Sequence, residues 1–277
     1  MAQGINYATK YDKALQQPFA IESVIEGRFN DEFEWDGTKS IHVYTAITQE
    51  LNDYKRTGSN RYGEPKELQD DEQDLPVTKE KSFAITVDKG NNNDQMHVKR
   101  TGKVTNAQMK EQVVPFWDKY SLSTWATGAG KKITVATLDK DTIIDQFIAA
   151  RTHFVNNKFP INVKDCTCYI KTSVYAHLLK NPAFLGVETL AKELLTKGTV
   201  GQCMNFLIKE VPDDYLPATT HMLFTHKKPV IKARKLHDLN IHNNPPGLRG
   251  TLIEGCDYGD AFVLNTFKQG VVNIASA

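Results

Sequence analysis

A polar stretch over residues 48–82, set between two β-patterned runs, constrains this 277-residue chain more than any other segment. Before it, Ile41, Val43, Thr45 and Ile47 alternate with their neighbours; after it, Phe83, Ile85 and Val87 do the same. A period of two marks half-buried strands. Between the runs the apolar side chains are scattered (Leu51, Tyr54, Tyr62, Leu68, Leu75, Val77) among Lys, Arg, Asp, Glu and Asn. That is too little apolar surface for a core. Connections beyond about 12–15 residues inside a compact domain are usually functional or disordered. The expectation is an extended β-arm over residues 37–88, its tip buried against another molecule.

Charge narrows the function class. Lys and Arg number 34 against 33 Asp and Glu, a formal net charge of +1, so a uniformly basic nucleic-acid binder is excluded and any basic surface is local. With 40% hydrophobic residues the chain can build a core. No run reaches the roughly 18 apolar residues of a membrane span, and no signal-peptide pattern opens the chain, which reads as cytosolic with no membrane partner. The four cysteines (Cys166, Cys168, Cys203, Cys256) are too few and too irregular for a disulfide framework; reduced, buried thiols are expected.

Residues 1–36 mix aromatics with charges around Pro18 and Gly27, which reads as an arm lying across neighbouring surfaces, with room for a short helix from Thr9 to Gln17. Gly90 to Asp94 reads as a turn. From Thr105, the residues Met109, Val113, Phe116, Trp117 and Tyr120 form a helical stripe ending before Gly128. Pro115 inside that stripe predicts a kink near Gln112 to Pro115, or two abutting helices. A second amphipathic helix spans about Asp141 to Asn157, with Ile143, Ile144, Phe147, Ile148, Phe154 and Val155 inward and Asp139 or Asp141 as N-cap. Cys166 to Ile170 reads as a buried strand, then a helix capped by Thr172 or Ser173, a short helix over Leu190 to Leu195, and a strand from Cys203 to Val211. The last third carries short strands at Met222–Phe224, Leu252–Ile253, Ala261–Leu264 and Val271–Val272. The class is α+β.

No constellation carries chemistry. Gly128-Ala129-Gly130-Lys131-Lys132 suggests a phosphate loop, but the required earlier glycine is Trp125 and the required hydroxyl is Lys132. Cys166 and Cys168 share one strand face without a second Cys pair for zinc. His221, His226, His237 and His242 match no ligand spacing. The acidic group Asp70, Asp71, Glu72 and Asp74 lacks a calcium-loop pattern; it reads either as a solvated tip or as the complement of basic residues on a neighbour. No catalytic residue, cofactor or metal is expected.

The order of features nevertheless resembles the major capsid proteins of tailed double-stranded DNA bacteriophages, which have the Hong Kong 97 type fold. The resemblance rests on Phe33-Glu34-Trp35-Asp36-Gly37-Thr38-Lys39-Ser40-Ile41-His42-Val43, on Leu51-Asn52-Asp53-Tyr54, on Val113-Val114-Pro115-Phe116-Trp117-Asp118-Lys119-Tyr120 and on Gly255-Cys256-Asp257-Tyr258-Gly259-Asp260-Ala261-Phe262-Val263-Leu264. It spans nearly the whole chain. It implies an N-terminal arm (1–36), an extension loop or β-hairpin (37–88), a peripheral domain with a spine helix (89–130 and 226–277) and an axial domain (131–225).

The implied function is self-assembly as pentamers and hexamers into an icosahedral head around double-stranded DNA, in the virion and formed in the host cytoplasm. A separate scaffolding protein and a portal are the implied partners. Lys131, Lys132, Lys227 and Lys228 are candidates to face DNA, and no crosslink is assigned to Lys55, Lys66, Lys79 or Lys81. Expected intersubunit contacts are Trp35, Leu51, Tyr54, Arg56, Arg61, Tyr62, Asp70, Asp71 and Glu72, and the expected spine-helix core is Met109, Val113, Phe116, Trp117 and Tyr120. The alternatives are an encapsulin-like compartment shell and a soluble α+β enzyme with a lid at 48–82. On this reading, deleting residues 50–80 leaves a folded subunit that cannot assemble.

Overall fold

The computed structural model describes residues 23–33, 35, 40–48, 50–94, 101–181 and 201–276. The helices expected at Thr9 to Gln17 and at Leu190 to Leu195 lie outside these residues.

Both β-patterned runs are strands, but they do not pair with each other. Strand β1 (Ser40–Ile47) pairs antiparallel with β2 (Gln69–Pro76), in register from Ser40 against Pro76 to Ile47 against Gln69. The later run, β3 (Lys79–Asp88), joins a three-stranded sheet in the order β3-β10-β9, with β9 at Val230–Asn243 and β10 at Gly250–Val263. The polar connection therefore shrinks to residues 48–68, and the acidic group of 70–74 is a strand, not a solvated tip. Carboxylate-rich β2 carries almost no strand propensity; the ladder to β1 and burial of its end hold it. Leu75 and Val77 are fully buried beside Trp35, Ile231, Ala233 and Leu264. A deletion of 50–80 would thus remove core, which corrects the expectation of a subunit that still folds without them.

The spine helix carries the irregularity that Pro115 demands. Helix α2 (Thr101–Gln108) runs through a π-helical turn (Met109–Val113) into α3 (Val114–Thr127). The Val114 N–H reaches back five residues to the Met109 carbonyl, the wide turn that accommodates a proline just after it. The wide turn also resets the helical phase. Of the expected core stripe only Trp117 is buried, while Met109, Val113, Phe116 and Tyr120 are half-buried. The inward face of α3 is instead Trp117, Asp118, Ser121, Leu122, Trp125 and Ala126.

Downstream, a six-stranded sheet has the order β4-β11-β8-β5-β7-β6. Its members are β4 (Lys131–Val135), β5 (Cys166–Lys171), β6 (Gln202–Cys203), β7 (Phe206–Val211), β8 (Thr220–His226) and β11 (Val271–Ser276). Strand β5 is buried on both faces. Cys166, Cys168 and Ile170 face α4 (Ile143–Asn156) and α5 (Thr172–Leu179), whereas Tyr169 faces α3 and the arm. Helix α4 turns Ile143, Phe147, Ala150 and Phe154 inward and leaves Ile148 and Val155 exposed. That is one residue per turn at 3.6 spacing, narrower than the expected apolar set.

Several local expectations are corrected. The Asp139 carboxylate accepts the N–H groups of Asp141 and Thr142 in the turn leading into α4, as expected of a cap. Neither Thr172 nor Ser173 caps α5: Thr172 donates its hydroxyl to the Val211 carbonyl, and Asp213 accepts the Ser173 N–H from across the fold. The single strand expected from Cys203 to Val211 is a hairpin, since Met204 and Asn205 adopt positive φ of 51° and 70°, the two-residue turn that suits strand twist. Gly90 to Asp94 lies in a helical turn, α1 (Lys89–Asp94). Strand β9 escaped notice because Lys, Arg and His interrupt its pattern, and the runs at 252–253 and 261–264 belong to one continuous strand, β10, apart from Leu264. Residues 226–277 are shared: β9 and β10 build the three-stranded sheet, while β11 closes into the six-stranded one between β4 and β8.

Two buried carboxylates join these layers. Asp118 on α3 accepts the Val24 N–H at 2.8 Å and the Ser23 hydroxyl at 2.9 Å, with Lys232 of β9 at 3.9 Å. Burial holds its carboxyl above the usual range, and burial pushes the Lys232 ammonium down. The arm residues behind it, Val24 and Ile25, pack on Leu122 and Trp125 of the same chain, so this part of the arm is core and not a neighbour's cover. Asp260 on β10 accepts the Thr78 N–H (2.9 Å) and hydroxyl (2.8 Å) with one oxygen, and the Tyr120 hydroxyl (2.6 Å) and Ala261 N–H (2.9 Å) with the other.

Two outcomes follow from this packing. Trp125→Ala, which empties a fully buried site and loses the indole bond to the Ile231 carbonyl, is expected to cost about 3–5 kcal/mol in denaturant unfolding of the unassembled subunit. Burial first, and Asp260 second, raise the Tyr120 hydroxyl to about 12. Because the folded value lies above the unfolded one, this contribution to stability is complete below about pH 10 and is lost as pH climbs toward about 12. Tyr120→Phe should abolish that alkaline loss, read as the difference between the two proteins' unfolding midpoints across this window, and should cost about 1.5–3 kcal/mol at neutral pH.

Candidate assembly surfaces

The β1–β2 hairpin projects from a root that is bonded on every side. The Gln73 side-chain amide donates to the Val263 carbonyl at 3.1 Å and accepts the Asn265 N–H at 2.8 Å. The Tyr258 hydroxyl donates to the Val77 carbonyl at 2.7 Å, and Thr78 is held by Asp260. Half-buried Ile41 and Val43 pack on the cluster that contains Leu75 and Val77. One face of the hairpin thus belongs to the body, as the alternation of Ile41, Val43 and Thr45 predicts; the side chain of Ile47 is outside the described residues.

The other face is free. Alternation puts His42 and Tyr44 there, opposite Asp74 and Glu72. His42 lies 2.9 Å from Glu72, and the Tyr44 hydroxyl donates to Glu72 at 3.2 Å. Asp70 follows on the same face opposite Ala46, while Asp71 turns to the body and accepts the Thr266 hydroxyl at 3.4 Å. Of the acidic residues expected at an interface, Asp70 and Glu72 stand on the free face, and Asp71 is partly committed within the chain.

The tip at residues 48–68 is closed on itself. The Lys55 N–H donates to the Arg61 carbonyl at 2.9 Å, the Gly63 N–H to the Asn60 carbonyl at 2.9 Å, and the Arg61 guanidinium to the Gly58 carbonyl at 3.2 Å. Gly58, Asn60 and Gly63 supply the positive φ that this reversal needs. Tyr54 and Tyr62 meet edge to face at 5.0 Å. Even so, Leu51 is 100% exposed, Tyr62 83% and Leu68 58%. Exposed apolar side chains clustered on a projection with no core of its own mark an interaction surface. Leu51, Tyr54, Arg56, Arg61 and Tyr62 are all brought to this tip and all are exposed.

Trp35 does not belong with them. It is 6% exposed and stacks on Phe262 at 5.7 Å in the core under the hairpin root, so its aromatic mass, which attracted the interface assignment, is spent within the chain. Sequence reasoning missed Tyr44 and Leu68, both exposed on the hairpin. The alternation that turns Val43 inward turns Tyr44 outward, so Tyr44 was legible.

No catalytic grouping emerges among the described residues, and none of their His, Cys, Asp and Glu side chains gather as a metal site. Cys166 and Cys168 are core thiols pushed upward by burial. Lys131 and Lys132 start strand β4, and Gly130 lies against the Lys268 carbonyl, leaving no room for a phosphate cradle. His237 contacts Asp257 at 2.6 Å and His242 contacts Glu254 at 3.3 Å, as sheet-surface pairs. Among the described residues no helix is long and apolar enough to cross a membrane.

No family model and no curated protein matches the sequence. Solved structures do. A chain from Mycobacterium phage Che8 superposes with a TM-score of 0.74 at 17% identity, covering 97% of this chain and 97% of that one. The capsid structure of cyanophage P-SCSP1u gives 0.76 at 12% identity, over 98% and 93% of the two chains, and the mature capsid of bacteriophage PhiM1 gives 0.70 at 12% identity, over 98% and 92%. Identity this low establishes shared architecture: the chain has the α+β, Hong Kong 97 type fold of phage capsid subunits.

Proposed function

We propose that this chain is a major capsid protein, a structural subunit that assembles with copies of itself, as pentamers and hexamers, into an icosahedral phage head around double-stranded DNA. The observation that carries the reading is the hairpin: a rigidly rooted projection ending in exposed Leu51, Tyr62 and Leu68, with nothing beneath it for a lid to close upon. Its apolar tip costs free energy in water and regains it when a neighbouring copy covers it. Many such contacts, each weak alone, become strong in a closed shell because every further contact is made at high effective concentration.

The likeness to capsid subunits over almost the whole chain supports the same reading. So does the near-neutral charge, which lets many copies pack without mutual repulsion. The role is structural and needs no cofactor. A scaffolding protein and a portal complete the assembly in the host cytoplasm, and the virion is the destination. The division into arm, extension loop, peripheral domain and axial domain stands as part of this proposal.

Electron microscopy of the purified protein, alone and with a scaffold, tests it: uniform closed shells are expected, and a monomer at every concentration overturns it. Their contents separate a genome container from an encapsulin-like one, since the first should hold nucleic acid and the second a protein cargo. Replacing residues 50–67 by a two-residue turn keeps β2, Leu75 and Val77 in place. That variant should unfold within about 1 kcal/mol of the parent yet form no shells; shells at the parent's yield would remove the hairpin from the mechanism.

A further inference from the structure

An apolar groove on the body of the chain has the shape and charge to receive the free face of the hairpin. It has a volume of about 300 Å³ and runs between α3 and the 214–217 loop, walled by Phe116, Tyr120, Tyr215, Leu216 and Pro217. Phe116 and Tyr120 stack at 6.3 Å with planes 4° apart. Strand β3 lays two lysines over that pair, Lys79 at 5.6 Å from the Tyr120 ring and Lys81 at 5.4 Å from the Phe116 ring. Among the described residues neither lysine forms a salt bridge with a carboxylate. Lys119 adds a third ammonium at the rim, where Asp214 is the facing carboxylate at 3.4 Å.

The hairpin's free face is the counterpart. Tyr44, 65% exposed, stands among Asp70, Glu72 and Asp74, with His42 the only basic group in the patch. Asp70, Glu72 and Asp74 repeat every second residue of β2, and Lys79 and Lys81 repeat every second residue of β3. Both rows therefore have the same spacing of roughly 6.5–7 Å. Tyrosine is a favoured interface anchor, apolar in body and polar at its tip. Both surfaces are rooted rigidly in one chain and face solvent there, so the match is made between copies.

We propose that Tyr44 of one copy seats in the groove of the next, with Asp70, Glu72 and Asp74 meeting Lys79, Lys81 and Lys119. The contact is head to tail, the kind that closes into rings when the rotation between copies allows. This rests on the capsid reading and names the surface on which the hairpin docks.

The test uses full-length protein under conditions where the parent forms shells. Lys79→Glu with Lys81→Glu should lower shell yield by about tenfold or more, since like charges at an interface cost several kcal/mol, while the unfolding midpoint of the subunit stays near the parent's. Adding Glu72→Lys and Asp74→Lys to the same chain should restore shells. In a Cys256→Ser background, Tyr44→Cys with Ser123→Cys should give a ladder of disulfide-linked subunits on oxidation. Normal shells from the lysine reversals, no rescue by the second pair, or no ladder would each overturn the contact while leaving the capsid reading intact. Shells of normal yield that lose only their nucleic acid would assign the lysines to DNA and overturn it as well. A parent that never assembles would bring down the capsid reading and this contact with it.

Discussion

The Asp260 carboxylate is the joint on which the architecture depends. It sits on β10, and its four accepted hydrogen bonds come from the hairpin root at Thr78, from the spine helix at Tyr120 and from its own strand at Ala261. A buried carboxylate is costly unless its lone pairs are filled. Here they are filled by donors from the elements that must keep a fixed angle to one another. The hairpin can project without a core of its own because its root is held by polar bonds as specific as these and by the small cluster around Trp35, Leu75 and Val77.

Asp118 does for the arm what Asp260 does for the hairpin. By accepting the Val24 N–H and the Ser23 hydroxyl it draws Val24 and Ile25 onto the spine helix. The helix is consequently a three-sided element, contacting the arm, β10 and the end of the six-stranded sheet, where the Asn273 amide donates to the Ala126 carbonyl at 3.0 Å. The π-helical turn ahead of Pro115 shifts the phase of α3 relative to α2. For an assembling subunit this arrangement separates two tasks: the interior is saturated within the chain, and the apolar surface that remains is concentrated on the hairpin tip and in the groove beside α3.

How far the sequence could be read depended on whether a residue's partner was near in sequence or distant. Alternation identified β1 and β3, and it assigned Ile41, Val43, Phe83 and Val87 to the inner faces. The full burial of Cys166 to Ile170 was legible because a continuous apolar strand has few other uses. The tip residues Leu51, Tyr54 and Tyr62 were legible as candidates because no core was available to them locally. Strand β2 was not, because Asp and Glu lack strand propensity and only the ladder to β1 makes it a strand. The cap of α5 was not, because Asp213 arrives from 40 residues away.

By itself the sequence determined the class of fold, the location of the projecting hairpin and the break in the spine helix, since each follows from periodicity, local composition or the missing N–H of a proline. Only the tertiary structure decided which strands pair, that Trp35 is core and not interface, that Leu75 and Val77 anchor the hairpin, and that Asp118 and Asp260 are junctions. The physical reason is the same throughout. A periodic pattern says which way a side chain turns, but burial and hydrogen-bond partners depend on what the rest of the chain places opposite it.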